Sequence, residues 1–289
     1  KELLYKYCVE KAIPFKQLGK WVVATTACEQ ERLEHLYERA LQNEVPVRLL
    51  SKAEVHRARG ELECCAILES QSTGIVDTHS LMYSLAYDFE QSGGTLHCGA
   101  ALKALSTGSN SAWAELDDGT ILSASTVINS TGFNALQLIK GDMPHHTDCW
   151  AKGSYYSYSG RVPFDRLIYP LPNKGGLGIH LTFDLEGRAI FGPDVEWVDH
   201  CDYDVKDPVC EHFYKAIQRY WPACNPNCLR PNYSGIRPKV KCDGKVVSDF
   251  IFNFKSEQAR PVILSILGME SPGLTSCLAI ANHIYTLTT

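Results

Sequence analysis

Leu267-Gly268-Met269-Glu270-Ser271-Pro272-Gly273-Leu274-Thr275-Ser276-Cys277-Leu278-Ala279-Ile280-Ala281 is the stretch around which the chain is organised. The apolar run before it, Pro261-Val262-Ile263-Leu264-Ser265-Ile266-Leu267, has the length and branching of a buried strand. After it, Leu274, Leu278 and Ala281 recur at helical spacing, Ser271 stands where a cap belongs and Pro272 suits the first turn. The unit reads as strand, glycine-bearing turn, helix. Such a turn aims the free N–H groups of a helix N-terminus above a sheet edge, where an electron-rich or anionic group is favoured by about 0.3–1 kcal/mol per charge. Taken alone it is also ordinary strand-to-helix geometry, so the rest of the chain has to decide between the two.

Working outward, 289 residues suffice for two domains, and chains of this size bury roughly three quarters of their unfolded surface. Hydrophobic residues make up 45% and charged residues 21%, the balance of a globular protein. A net charge of −5 with no Lys/Arg run argues against a nucleic-acid partner. No apolar run is long enough for a transmembrane helix. The twelve cysteines include the adjacent pair Cys64-Cys65 but no C-x-x-C. Cys224 and Cys228 lack a companion motif, so no metal is expected, and reduced thiols of an intracellular protein are the simpler reading.

Along the chain, residues 1–12 predict a helix stopped at Ile13-Pro14, followed by the strand Trp21-Val22-Val23-Ala24 and a charged helix over 29–42. Gly74-Ile75-Val76-Asp77 leads into a helix over 78–92, striped by Leu81, Leu85 and Phe89 and closed by Gly93-Gly94. Thr95-Leu96-His97-Cys98 is expected to be the next strand, before a meander that turns at Asp117-Asp118-Gly119-Thr120. The strand over 125–129 runs into the small-residue turn Ser130-Thr131-Gly132 and a helix over 135–139. From Trp150 to Val198 the texture becomes aromatic antiparallel β, with turns at Asn173-Lys174-Gly175-Gly176 and Leu185-Glu186-Gly187-Arg188. A helix over 208–220 and a return through Asp249-Phe250-Ile251-Phe252 complete the pattern. The pattern predicts an α/β fold of two interleaved parts, residues 1–72 with 149–238 and residues 73–148 with 239–289.

Several motifs occur in a fixed order: Thr73-Gly74-Ile75-Val76-Asp77, Tyr169-Pro170-Leu171-Pro172 through Gly178-Ile179-His180-Leu181-Thr182, Phe191-Gly192-Pro193-Asp194, Gly235-Ile236-Arg237-Pro238-Lys239 and Glu270-Ser271-Pro272-Gly273-Leu274-Thr275. Together they resemble the L-2-hydroxyglutarate dehydrogenase group of FAD-dependent oxidoreductases with the D-amino-acid-oxidase fold. The resemblance implies a Rossmann-like FAD domain beside an antiparallel substrate sheet. It also implies a flavoprotein that oxidises a 2-hydroxy acid by hydride transfer to flavin N5. The family's G-x-G-x-x-G, which seats the FAD pyrophosphate on a helix N-terminus, stands nowhere in these residues. The chain thus reads as the family without its N-terminal βαβ unit. A fragment of this kind is expected to hold flavin poorly and to leave apolar strand edges uncovered.

By the same resemblance, Ser130, Thr131 and Gly132 approach the FAD, while Gly268, Ser271, Gly273, Leu274 and Thr275 present backbone N–H groups to the isoalloxazine. Arg237, between Gly235 and Pro238, is the expected partner of a substrate carboxylate, though an arginine tying down a turn fits the same setting. His180 lies between apolar Ile179 and Leu181, so its ring points to the opposite face, where it serves as base or simply as a hydrogen-bonded strand histidine. Lys152, Tyr156 and Tyr169 are expected to line the substrate site. A quinone or carrier protein is the implied electron acceptor. The implied location is mitochondrial in a eukaryote and cytoplasmic in a bacterium. The alternatives left open are an amine or amino-acid oxidase of the same fold and a non-catalytic fragment lacking FAD.

Overall fold

The structure, a computed structural model, describes residues 1–58, 61–171, 178–255 and 261–288. The turn expected at Asn173–Gly176 and the last proline of the Tyr169–Pro172 motif lie outside these described residues.

The largest element is a ten-stranded sheet. Its spatial order is Lys245–Val246, Leu229–Cys242, His146–Tyr158, Ala189–Gly192, His180–Phe183, Leu167–Pro170, Lys20–Ala24, Ala66–Ser70 and Arg48–Leu49, with Glu196–Val198 added beside His146–Tyr158. Every pair is antiparallel except Leu167–Pro170 with Lys20–Ala24. The backbone of the sheet is the long pair His146–Tyr158 and Leu229–Cys242, in register from His146↔Cys242 to Gly153↔Gly235, with an irregularity between Ser154 and Tyr156.

Because side chains alternate along a strand, the two faces of this sheet have separate fates. Val23, Ile168, Leu181, Phe191, Tyr156 and Tyr158 face a core closed by the helix Glu211–Gln218 through Phe213 and Ile217. Each such side chain stabilises the fold by about 1.5–3 kcal/mol through burial. On the opposite face stand Lys20, Val22, Tyr169, His180, Thr182 and Ile190, which line a cavity instead.

The helix Ala27–Gln42 covers the far end of the sheet with Leu33, against Ala24, Leu68 and Leu171. Its start is fixed by reciprocal capping: Thr26 accepts from the Glu29 N–H, and the Glu29 carboxylate accepts from the Thr25 N–H and hydroxyl, each at 2.8 Å. Arg219 donates to the other Glu29 oxygen at 2.5 Å. Burial pushes this carboxyl up, but the Thr25 and Arg219 contacts outweigh it and hold the group below its usual value. A carboxyl depressed in the folded state contributes stability that is full above its unfolded pKa, about 4.3, and is lost as pH falls through the folded value. Glu29→Gln is therefore expected to lower the melting temperature at neutral pH and to make little difference once the pH has fallen through the depressed folded-state pKa of the group. A gap of equal size at neutral and at acidic pH in thermal melts would remove this assignment.

A second unit is a three-stranded sheet ordered Ile251–Lys255, Val262–Leu267, Thr126–Asn129. Its last two strands are parallel, from Val262↔Thr126 to Ser265↔Asn129, so both end at the same edge. A meander of Leu102–Thr107, Ala112–Leu116 and Ile121–Ala124 leads into it. The helix Thr78–Gln91, capped by Asp77 accepting from the His79 and Ser80 N–H groups, packs Leu81 against Leu4 and Cys8 of the helix Glu2–Glu10 and against Ile13 just after it.

Two expectations need correction. Residues 95–98 form no strand: Leu96 is 55% exposed, the segment finds no partner, and the meander starts at Leu102. The helix expected over 135–139 is two short 3₁₀ turns, Gly132–Asn134 and Gln137–Asp142, the second broken at Ile139 with φ −130°.

Candidate active site

The alternation of the large sheet sets the cavity floor. Ile168 pairs with Leu181, so the adjacent positions Tyr169 and His180 face one another across the strands on the cavity side. Their rings stack at 3.7 Å between centroids and 8° between planes. The Lys20 ammonium lies 4.9 Å from the centre of the Tyr169 ring. The cavity has a volume of about 970 Å³ and is closed by Tyr155, Tyr233, Arg237, Ser271 and Thr275 from the far strands and the 267–275 turn, a size suited to a small organic ligand.

Arg237 reaches the cavity from the strand Leu229–Cys242, opposite Ala151. Its Nη1 donates to Glu270 Oε2 at 3.4 Å, and Lys239 contacts the other carboxylate oxygen. Glu270 thus sits between two cations and holds the guanidinium in place, with only 15% of its side chain exposed. Tyr155 and Tyr233 stack at 4.4 Å beside it. Burial pushes the Tyr155 phenol up, opposed by the adjacent Arg237. Burial, and secondarily Tyr155, raises Tyr169 and pushes Tyr233 up to about 12. The three phenols therefore remain protonated at neutral pH.

A second cavity, of about 620 Å³, shares Tyr155, Pro193, Arg237, Ser271 and Thr275 with the first and is otherwise lined by Gly153, Gly235 and the turn from Met269 to Cys277. Arg237 and Tyr155 therefore form a wall common to both spaces. Here the helix Gly273–Thr288 begins. Among the described residues no acceptor takes the N–H of Leu274 or Thr275, which leaves two donors at the cavity, whereas the Gly273 N–H, expected to be offered as well, donates to Glu270 O at 2.5 Å. Gly268 turns the chain out of its strand with φ +67°, a conformation that favours glycine. On the neighbouring parallel strand, Asn129 donates to Ala135 O and Ser265 Oγ and accepts from the Thr131 hydroxyl, which fixes the turn Ser130-Thr131-Gly132. Gly132 has φ +62°, and a Cβ there would meet nothing within 4 Å. Both turns thus open at the carboxyl ends of parallel strands, where ligands of open α/β sheets bind. The free donors and the open glycine fit one edge of an FAD. No metal cluster occurs among the described residues, and none of their helices is long and apolar enough to cross a membrane.

Of the residues expected at the site, His180, Tyr169 and Arg237 meet in one cavity, and Ser271, Gly273, Leu274 and Thr275 meet in the other or on the shared wall. Lys152 and Tyr156 do not join them. Both side chains face away and are taken by one covering segment: Lys152 bonds to Asp202 at 3.0 Å and to Asp204 O, and the Tyr156 hydroxyl donates to Lys206 O at 2.8 Å. The tyrosine of this strand that lines the site is Tyr155, one residue before Tyr156 and so on the other face. Lys20, Tyr233 and Glu270 were absent from the expected set. Glu270 had a sequence signal, since an acid in the turn faces Arg237 and Lys239, two positions apart on a strand.

A family model for FAD dependent oxidoreductases matches residues 1–287. Mitochondrial L-2-hydroxyglutarate dehydrogenase of Arabidopsis thaliana is 35% identical over 336 residues, an alignment covering 98% of this chain and 69% of that protein. L-2-hydroxyglutarate dehydrogenase of Escherichia coli K12 is 25% identical, covering 96% of this chain and 74% of the relative. In structure, FAD-bound L-alpha-glycerophosphate oxidase of Mycoplasma pneumoniae superposes with a TM-score of 0.80 at 20% identity over 99% of this chain and 79% of its own. L-proline dehydrogenase of P. horikoshii also gives 0.80, at 17% identity over 100% and 76%. The fold, the paired turns and the family match agree: the chain belongs to the FAD dependent oxidoreductases, with FAD as its cofactor.

Proposed function

We propose that the protein oxidises a 2-hydroxy acid of the L-2-hydroxyglutarate type to the corresponding 2-oxo acid. The observation that carries this reading is the convergence of Arg237 and His180 on one cavity whose wall is shared with the space at the 267–275 turn. The identity to L-2-hydroxyglutarate dehydrogenases supports it. FAD would be held by Ser130, Thr131 and Gly132 on one side and by Gly268, Ser271, Gly273, Leu274 and Thr275 on the other. When bound, it supplies the acceptor for the two electrons released at C2 of the acid.

The chain's own residues do the rest. Arg237 binds the C1 carboxylate through charge-assisted bonds, in an orientation set by Glu270. His180 stands against the stacked Tyr169 ring and accepts the hydroxyl proton at an imidazole nitrogen as C2 is oxidised. The N–H groups of Leu274 and Thr275 favour negative charge at their end of the site. The stacked Tyr155–Tyr233 pair forms an aromatic wall beside Arg237. Turnover with an artificial electron acceptor tests the reading: L-2-hydroxyglutarate is expected to be oxidised in preference to a panel of D- and L-amino acids. Preference for an amino acid would reassign the site to an amine oxidation.

A further inference from the structure

Resting on the reading of the cavity as a 2-hydroxy-acid site, we propose that Lys20 receives the second carboxylate of the substrate and so selects dicarboxylic over monocarboxylic 2-hydroxy acids. The cavity is lined by two basic side chains, Lys20 and Arg237. They differ in how they are neutralised. Arg237 is already held by Glu270. Lys20 has no carboxylate within ion-pair distance among the described residues, although three acids line the same cavity. Asp77 is committed to the helix N–H groups of His79 and Ser80, Asp184 binds Arg188, and Glu186 binds the same arginine. An ammonium drawn partly out of water without a partner is costly, and a ligand carboxylate relieves that cost. Burial, and next the charge of Lys1, pulls the Lys20 pKa down, as expected for a cation lacking its anion.

The position of Lys20 suits the role. Its ammonium is 4.9 Å from the Tyr169 ring centre, and that ring stacks on His180 at 3.7 Å. Lys20 is therefore no farther from the imidazole centre than those two distances laid end to end. A few methylenes bridge such a span. An acid with its hydroxyl at His180 and its C1 carboxylate on Arg237 can extend its chain along the Tyr169 ring and end at Lys20. Val22, on the same face of the same strand, offers an apolar surface for the methylenes.

The test compares wild type, Lys20→Met and Lys20→Arg as flavin-loaded proteins. Two quantities are read: the ratio of kcat/KM for L-2-hydroxyglutarate to that for L-2-hydroxybutyrate, and the Kd of glutarate by calorimetry, which needs no chemistry. In Lys20→Met both should worsen by about tenfold to a hundredfold, the worth of one charge-assisted contact. Lys20→Arg should restore most of each. An unchanged ratio with an unchanged glutarate Kd would overturn the proposal. So would an arginine variant as defective as the methionine one with a displaced pH profile, which would make Lys20 a proton acceptor, or flavin release without a change in the ratio, which would make it a cofactor contact. If neither hydroxy acid is oxidised by wild type, the functional reading fails on its own, and the glutarate Kd still decides the role of Lys20. Lys20→Gln replaces the methionine variant if that does not fold.

Discussion

His180→Gln is expected to lower kcat by about 10²–10⁴-fold, the usual worth of a positioned general base, while FAD stays bound. The imidazole lies on the cavity face between Ile179 and Leu181, both of which are buried in the main core, so the strand that presents it is rigid. It is also locked against Tyr169 by stacking. Glutamine keeps much of the volume and the hydrogen-bonding capacity but cannot take a proton near neutral pH. The rate of the wild-type protein should rise with pH as the imidazole loses its proton, and this acidic limb should vanish in the variant. A kcat and pH profile like those of wild type would place the base elsewhere. Loss of flavin with unchanged chemistry per bound flavin would make His180 structural.

Arg237→Ala should reduce kcat/KM by at least about tenfold, mostly through KM, because a substrate carboxylate loses a charge-assisted partner worth about 1.5–3 kcal/mol. The substitution also leaves Glu270 with Lys239 as its remaining cation in a half-buried site. Glu270→Gln separates the two effects. It removes the acid that orients the guanidinium while leaving the guanidinium itself, and should cost less than the alanine change. Unchanged kinetics with a lowered melting temperature in Arg237→Ala would assign the residue to structure alone.

The parts of this molecule legible in the sequence were those governed by local pattern. The Ile179-His180-Leu181 alternation gave the face of the histidine, and the 261–281 stretch gave a strand, turn and helix close to those observed. The 150–198 region read as antiparallel β for the same reason, although its first strand runs further back, to His146, because Leu229–Cys242 pairs along its whole length. Tyr155 and Tyr156 could not be told apart. Both faces of that strand are aromatic, and the pairing irregularity between Ser154 and Tyr156 disturbs the alternation at that point. Lys152 looked like a pocket cation because its partners, Asp202 and Asp204, come from a loop fifty residues downstream. Lys20 was missed for the converse reason. Its significance lies in having no such partner, and that is visible only once strands from both ends of the chain are assembled into one sheet.

The central claim, that this cavity serves a 2-hydroxy acid and a bound flavin together, is tested most directly by anaerobic mixing in a stopped-flow spectrophotometer. The flavin-loaded protein is mixed with L-2-hydroxyglutarate, D-2-hydroxyglutarate or an L-amino acid, and the visible absorbance of the oxidised flavin is followed. Rapid, saturable loss of that absorbance with the L-hydroxy acid, absent with the other two and slowed by at least about a hundredfold in His180→Gln, is the predicted result. Reduction by the amino acid instead, or no reduction by any of the three, would contradict it.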